Sequence, residues 1–276
     1  MTRLRPRTAL IAAAVTAVAV AAALTGCSSS SSNDAGTVTS GKLTIATGQP
    51  AYSPWVEGNK PQSGKGFESA VAYAVAEKMG YKKSDVVWTR STFDSAIAPG
   101  AKDWDMNIQQ FSITAQRKKA VDFSAPYYTT TQAVVTDAAS KAASVTTLAQ
   151  LKTFKVGVAT GTTSLTVAQK ELGTTPQVFN SNDDAVLALK SGQIDAIVTD
   201  LPTAFYIATS GQLKKGKVVG QFADDGSGDQ FGIVLPKGSK LTAKATKAID
   251  ELKSDGELAA LTKKWLSTAV DAPVLK

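Results

Sequence analysis

The chain runs to 276 residues with a formal charge of +7, no histidine and a single cysteine, Cys27. Those absences exclude Ser-His-Asp triads, Cys-His pairs, zinc sites of histidine and cysteine, and imidazole acid–base work. No Ser-x-x-Lys occurs, which removes the usual histidine-free acylating serine, so only chemistry built on carboxylates or lysines survives.

In chain order, Arg3, Arg5 and Arg7 form a positive n-region, Ala9 to Leu24 an apolar h-region, and small residues precede Cys27, the anatomy of a secretory signal. The run is shorter than the roughly 20 apolar residues of a span, and Ser28 to Ser32 follow with no basic flank. Leu24-Thr25-Gly26-Cys27 resembles the bacterial lipobox. That resemblance implies acylation of the Cys27 thiol and removal of residues 1–26, and the alternative is an ordinary signal peptide with an incidental cysteine. Two or three acyl chains would hold the protein to a membrane where one binds marginally. The expected location is extracytoplasmic, lipid-anchored to the cell membrane. Residues 27–41, rich in Ser, Gly, Thr, Asn and Asp, read as a flexible tether.

About 235 residues remain from Lys42, enough for one large or two small domains. Without the three N-terminal arginines the balance is +4, too even to suggest a nucleic-acid partner. Short β-branched runs alternate with Ala-rich amphipathic ones, the pattern of an α/β chain with a largely parallel sheet. Leu43–Thr47, Val86–Thr89 and Asp105–Ile108 read as strands, Phe67–Met79 and Phe93–Ala98 as helices. The pattern then restarts, with strands at Lys155–Ala159, Gln177–Phe179 and Asp195–Thr199 and helices at Ser164–Leu172 and Asp184–Leu189. Asp94, Gly100 and Asp105 in the first half are echoed by Asp184, Gly192 and Asp195 in the second. Two βαβαβ lobes with a cleft between them are the simplest architecture. Crossings near Thr130 and Gly228 would make a hinge and return helices Ala243–Lys253 and Glu257–Trp265 to lobe one. The expected division is 42–130 with 226–276 as lobe 1, and 131–225 as lobe 2.

Ligands of such sheets sit at the carboxyl ends of strands, where helix N-termini offer free N–H groups and positive dipole ends to an anion. Lobe two supplies Thr160-Gly161-Thr162-Thr163-Ser164 after a strand, and lobe one supplies Gln109-Gln110-Phe111-Ser112-Ile113-Thr114 before a capped turn at Ala115–Lys119. Either segment alone is equally an ordinary N-cap. Beyond residue 26 the chain holds 25 lysines but only two arginines, Arg90 and Arg117. An arginine kept in so lysine-rich a chain suits a planar fork gripping a carboxylate, and the alternative for Arg117 is a structural ion pair. Arg90 has no convergent hydroxyls. Asp200 closes a strand on the same rim as Thr163, so it either meets an α-ammonium or caps the helix beginning at Pro202; the roles can coexist.

These stretches resemble the bacterial extracellular solute-binding proteins of the polar amino-acid uptake family, family 3, the receptors of ABC importers. The resemblance rests on Gly66-Phe67-Glu68, Ser112-Ile113-Thr114-Ala115-Gln116-Arg117, Val121-Asp122-Phe123-Ser124-Ala125-Pro126-Tyr127-Tyr128, Gly157 to Ser164, and Asp195 to Asp200, and spans Leu43 to Trp265. It implies a two-lobe, type II periplasmic-binding-protein-like fold with two hinge crossings, no catalytic residues, no cofactor and no metal. It further implies Arg117, Ser112 and the Thr163 backbone on a ligand α-carboxylate, Asp200 and the Gln110 carbonyl on its α-ammonium, and Tyr52 and Phe93 around its side chain. Phe93 reads equally as a core residue; Trp55 follows Tyr52. Gln49, Phe111 and Thr162 complete the candidate set.

Members that bind basic amino acids often carry an acid where Gln49 stands. A buried cationic side chain without a partner is costly, so a neutral polar, glutamine-like ligand is expected. The implied partners are an amino acid, an ABC permease and the membrane, with the protein a monomer. The rival functions are a carboxylate-dependent dehydratase or lyase on the same fold, and a ligand-sensing receptor. Gly64-Lys65-Gly66 mimics a dinucleotide fingerprint, but Ser69 replaces its last glycine and no buried strand precedes it.

Overall fold

The computed structural model describes residues 36–223, 228–266 and 271–276. The signal segment 1–26 and Cys27 lie outside the described residues. In chain order the strands and helices are β1 Leu43–Thr47, α1 Phe67–Lys78, β2 Val86–Arg90, α2 Phe93–Ile97, β3 Met106–Asn107, β4 Val121–Thr130, β5 Gln132–Asp137, α3 Leu148–Leu151, β6 Val156–Ala159, α4 Thr163–Leu172, β7 Gln177–Phe179, α5 Asn182–Lys190, β8 Ala196–Asp200, α6 Leu201–Thr209, β9 Gly216–Gln221, β10 Asp229–Pro236, α7 Thr242–Ser254 and α8 Glu257–Leu266.

Two five-stranded sheets result, β2-β1-β3-β10-β4 and β7-β6-β8-β5-β9. In each, three strands of a βαβαβ run pair in parallel, and a long strand from elsewhere in the chain joins them antiparallel: β10 beside β3, and β5 beside β8. The α/β, two-lobe architecture is the one expected from the alternation, but the sheets are mixed rather than largely parallel, because β10 also pairs antiparallel with β4 and β5 with β9. Strand β1 has neighbours on both edges and is buried at all five positions, its two threonines included. Behind it, α1, α7 and α8 close the core of lobe one around Phe67, Val71, Val75, Ile249 and Leu266. In lobe two, helices cover both faces of the sheet, with separate cores around Ile197 and Val198.

Helix α1 starts after Gly66, whose φ of +100° and whose approach to Trp55 admit no side chain; a Cβ there would lie 2.5 Å from the Trp55 carbonyl oxygen. That closeness seats the Trp55 ring against Phe67, Tyr128 and Phe231.

Strands β4 and β5 are consecutive yet belong to different sheets, with Thr131 alone between them. The return from β9 to β10 spans residues 222–228.

Two features depart from the sequence reading. Residues 226–276 were assigned to lobe one, but the C-terminal tail lies on lobe two. There Val274 bridges Gln221 in parallel, and Leu275 is buried among Val134, Leu151 and Val158. The tail covers the otherwise open edge of β9, giving its Gln221 N–H and C=O partners at Pro273 and Leu275. The tether was expected to run free to Gly41, yet the Val38 N–H donates to the Asp105 carboxylate at 2.7 Å, and Asp105 also accepts from Thr44. A carboxylate left buried at that strand end needs those donors.

Candidate functional site

The carboxyl ends of the parallel strands and the amino ends of β5 and β10 meet between the lobes, and the loops at those ends build the cleft. In lobe one, β3 leads into Gln110, which holds a φ of +50°. The Gln110 backbone N–H donates to Glu68 Oε1 at 2.7 Å, its side-chain amide donates to Glu68 Oε2, and the Tyr127 hydroxyl donates to Oε1. Glu68 is fully buried, and burial lifts its pKa to about 7 despite these donors. Thr114 Oγ1 accepts from the Arg117 N–H and starts a single 3-10 turn, Arg117–Lys119. This turn presents the Arg117 guanidinium to the cleft. Nη1 donates to the Ser112 carbonyl and Nη2 to the Gly161 carbonyl of the opposite lobe, each at 2.8 Å. The guanidinium carbon lies 5.3 Å from the Phe93 ring centroid, and Phe93 in turn stacks on Phe111 at 4.6 Å.

In lobe two, β6 runs through Thr160, Gly161 and Thr162 into α4. Gly161 has φ +70°, and a Cβ there would fall 2.4 Å from Asp94 Oδ1 of lobe one, so the bare backbone is what lets the lobes approach. Thr163 Oγ1 shares a hydrogen bond of 3.0 Å with Ser112 Oγ across the cleft and donates to Asp229 Oδ2 at 2.9 Å. Two further bonds span the lobes: Tyr52 Oη donates to Asp183 Oδ2 at 2.6 Å, and Trp55 Nε1 to Thr203 Oγ1 at 3.1 Å. Burial, then Asp183, raises the Tyr52 pKa.

Asp200 ends β8. Burial first, then the neighbouring Asp229 charge, pushes its pKa up to about 7, against the pull of the Gln132 hydrogen bond and of Arg117. Arg117 is shifted down by burial and held up by Asp229, Asp200 and Asp94.

The structure thus brings Ser112, Arg117, Thr163 and Asp200 together, with Phe93 on Arg117 and Gln110 nearby, while Tyr52 reaches across the lobes to Asp183. It places others elsewhere. Gln49 is exposed. Thr162 is occupied as the cap of α4, accepting from Leu165 N–H and donating to the Ala159 carbonyl. Phe111 is wholly buried beneath Phe93. Trp55 is a core residue, 1 % exposed. Arg90 ties the Gly48 and Asn59 carbonyls together. Asp200 occupies the cap position of α6 but makes no side-chain cap bond; its Oδ1 accepts from Gln132 Nε2 instead. Glu68, Gln132, Asp183 and Asp229 went unselected. Gln132 and Asp229 sit beside the two crossings expected near Thr130 and Gly228, but nothing local marks them as polar contacts.

Residues 43–268 match the family described as bacterial extracellular solute-binding proteins, family 3. The chain belongs to that family. It is 32 % identical over 259 residues to the arginine-binding extracellular protein ArtP of Bacillus subtilis, covering 91 % of this chain and 95 % of ArtP. It is 30 % identical over 213 residues to the glutamine-binding protein GlnH of the same organism's ABC transporter, covering 75 % of each. Among solved structures, an ancestral arginine-binding protein bound to glutamine superposes with a TM-score of 0.67 at 34 % identity, covering 82 % of this chain and 98 % of that one. These relatives are amino-acid-binding proteins, and this chain is likewise a solute-binding protein and not an enzyme. Its family is extracellular by description.

Proposed function

We propose that this protein is the receptor of an ABC importer and captures a polar α-amino acid by closing its two lobes over it. The observation that carries this reading is the meeting of Arg117 and Ser112 of lobe one with Thr163 and Asp200 of lobe two: a cation with hydroxyl donors on one side, a carboxylate on the other. An α-carboxylate needs the donors and the guanidinium; an α-ammonium needs the acid and a carbonyl such as that of Gln110. Ligand docks on lobe one, and hinge motion at the two crossings, near Thr130 and near Gly228, brings lobe two over it, so each lobe supplies half of a desolvated clamp. The division into lobe one, 42–130 with 226–266, and lobe two, 131–225 with the tail, belongs to this reading. So do lipid attachment at Cys27, docking of the closed form on a membrane permease, and action as a monomer.

For the ligand side chain, a neutral, glutamine-like group is the reading of the sequence, in which no acid stands at position 49. A specific observation favours a second reading, a cationic side chain: Asp183 meets Tyr52 across the cleft and offers the acid that Gln49 does not. Calorimetric titration with L-glutamine and L-arginine separates the two. The receptor reading itself is tested by a thermal-shift screen against the twenty amino acids. A ligand at 100 times its Kd adds about 2.7 kcal/mol of apparent stability, so one or a few polar amino acids raise the midpoint. Stabilisation by sugars or peptides, with none by any amino acid, overturns the reading.

A further inference from the structure

Gln132 is the first residue of β5, 4 % exposed, and its amide joins two carboxylates. Nε2 donates to Asp200 Oδ1 at 2.8 Å and also to Asp229 Oδ2. Its Oε1 is buried with no hydrogen-bond partner among the described residues. Asp229 Oδ2 accepts as well from Thr163 Oγ1. The start of β5, the end of β8 and the start of β10 therefore converge on a patch holding two acids and an unfilled amide acceptor. The neighbouring cation, Arg117, has both terminal nitrogens on the Ser112 and Gly161 carbonyls.

Resting on the amino-acid reading above, we propose that Asp229 is a ligand-contact residue that holds the α-ammonium jointly with Asp200 and the Gln132 amide oxygen. An ammonium brings three N–H donors and no acceptor, so one carboxylate leaves part of it unsatisfied in a desolvated site. Two neighbouring carboxylates, conversely, repel one another when both are ionised in a desolvated site, and Arg117 offsets only part of that repulsion at Asp200. The ligand's ammonium answers both requirements at once. The charged and titratable groups that face Asp200 are Asp229 from β10, Arg117 from the 3-10 turn, Glu68 from α1, and Tyr127 and Tyr128 from β4. Asp229 is the strongest electrostatic influence among them, and it raises the Asp200 pKa. Burial and Asp229 hold the Asp200 pKa up near 7, so binding of an ammonium is coupled to release of a proton from it.

The test is calorimetric titration of wild-type protein and Asp229→Asn with L-glutamine and L-arginine from pH 5.5 to 8.5. Wild-type affinity is expected to weaken as pH falls through 7. Asp229→Asn is expected to bind at least tenfold more weakly at pH 8, with its own weakening displaced to lower pH because Asp200 has lost its acidic neighbour. If the Asn variant does not fold, Asp229→Ser keeps an acceptor for Thr163 and carries the same expectations. A variant that binds as tightly as wild type, or one weaker by the same factor at every pH, reduces Asp229 to a hinge tie and overturns the proposal. Wild-type protein that binds neither probe, nor any other amino acid, overturns the amino-acid reading instead.

Discussion

Replacing Arg117 by alanine removes a side chain that is 8 % exposed and whose fork joins the lobes through the Ser112 and Gly161 carbonyls. In the liganded clamp that guanidinium faces the α-carboxylate, and deleting one partner of a buried ion pair costs about 3–5 kcal/mol because the other charge is stranded. At 1.4 kcal/mol per decade, the dissociation constant rises roughly 100- to 4,000-fold. Arg117→Lys keeps the charge and loses the planar pair of donors, so it falls between wild type and alanine. The assay is isothermal titration with the amino acid found by the stability screen, alongside urea unfolding of the ligand-free variants. Loss of the two carbonyl bonds lowers stability without ligand, by about 1–3 kcal/mol, so affinity is compared only under conditions where each variant is fully folded. A dissociation constant for Arg117→Ala within threefold of wild type refutes the carboxylate role and the reasoning from the scarcity of arginine.

Gly161→Ala places a methyl group against Asp94 Oδ1 in a backbone conformation that disfavours side chains. Affinity is expected to drop about 5- to 30-fold, and adding Asp94→Ala restores the steric part; titration showing no loss removes Gly161 from the closure. Asp200 and Glu68 titrate near 7, above their ordinary 3.8 and 4.5. Both bind protons more tightly folded than unfolded, so their stabilising contribution is complete below about pH 4 and is lost as pH rises through 7. Urea midpoints of ligand-free protein should therefore fall between pH 5 and pH 8 by the equivalent of about 5 kcal/mol, roughly half from each group, and Asp200→Asn should remove its share of that slope; a slope unchanged in the variant contradicts it. Deleting residues 272–276 removes the buried Leu275 and the two backbone bonds to Gln221. With about 1.5–3 kcal/mol for a buried leucine, unfolding should shift by about 2–4 kcal/mol; an unchanged midpoint means the tail is not part of the lobe-two core.

Much of the fold was legible because local pattern and tertiary environment agree. β1 reads as a buried strand and is one, and the Gly173 that stops α4 takes the left-handed φ of +61° that glycine adopts readily. The first crossing was only half legible. Residues 127–135 form one extended β-prone run, and nothing local says that Thr131 divides it between two sheets. The tail is not legible because Val274 and Leu275 show no periodicity within six residues, and the burial of Leu275 depends on a sheet edge about fifty positions earlier. In the site, Arg117 and the Thr-rich loop stood out through composition and position. Gln132, Asp200 and Asp229 lie far apart in sequence, and only the sheet topology brings them within reach of one amide. Asp183 was hidden for the same reason: in sequence it is an acid in the first turn of α5, and its partner Tyr52 belongs to the other lobe.

The central claim is that both ends of an α-amino acid are gripped at once. It is tested most directly by titrating the protein with its best-binding amino acid, with the N-acetyl derivative and with the carboxamide derivative of that same compound. The clamp predicts that each blocked form binds at least 100-fold more weakly than the free amino acid. A blocked form that binds equally well contradicts it.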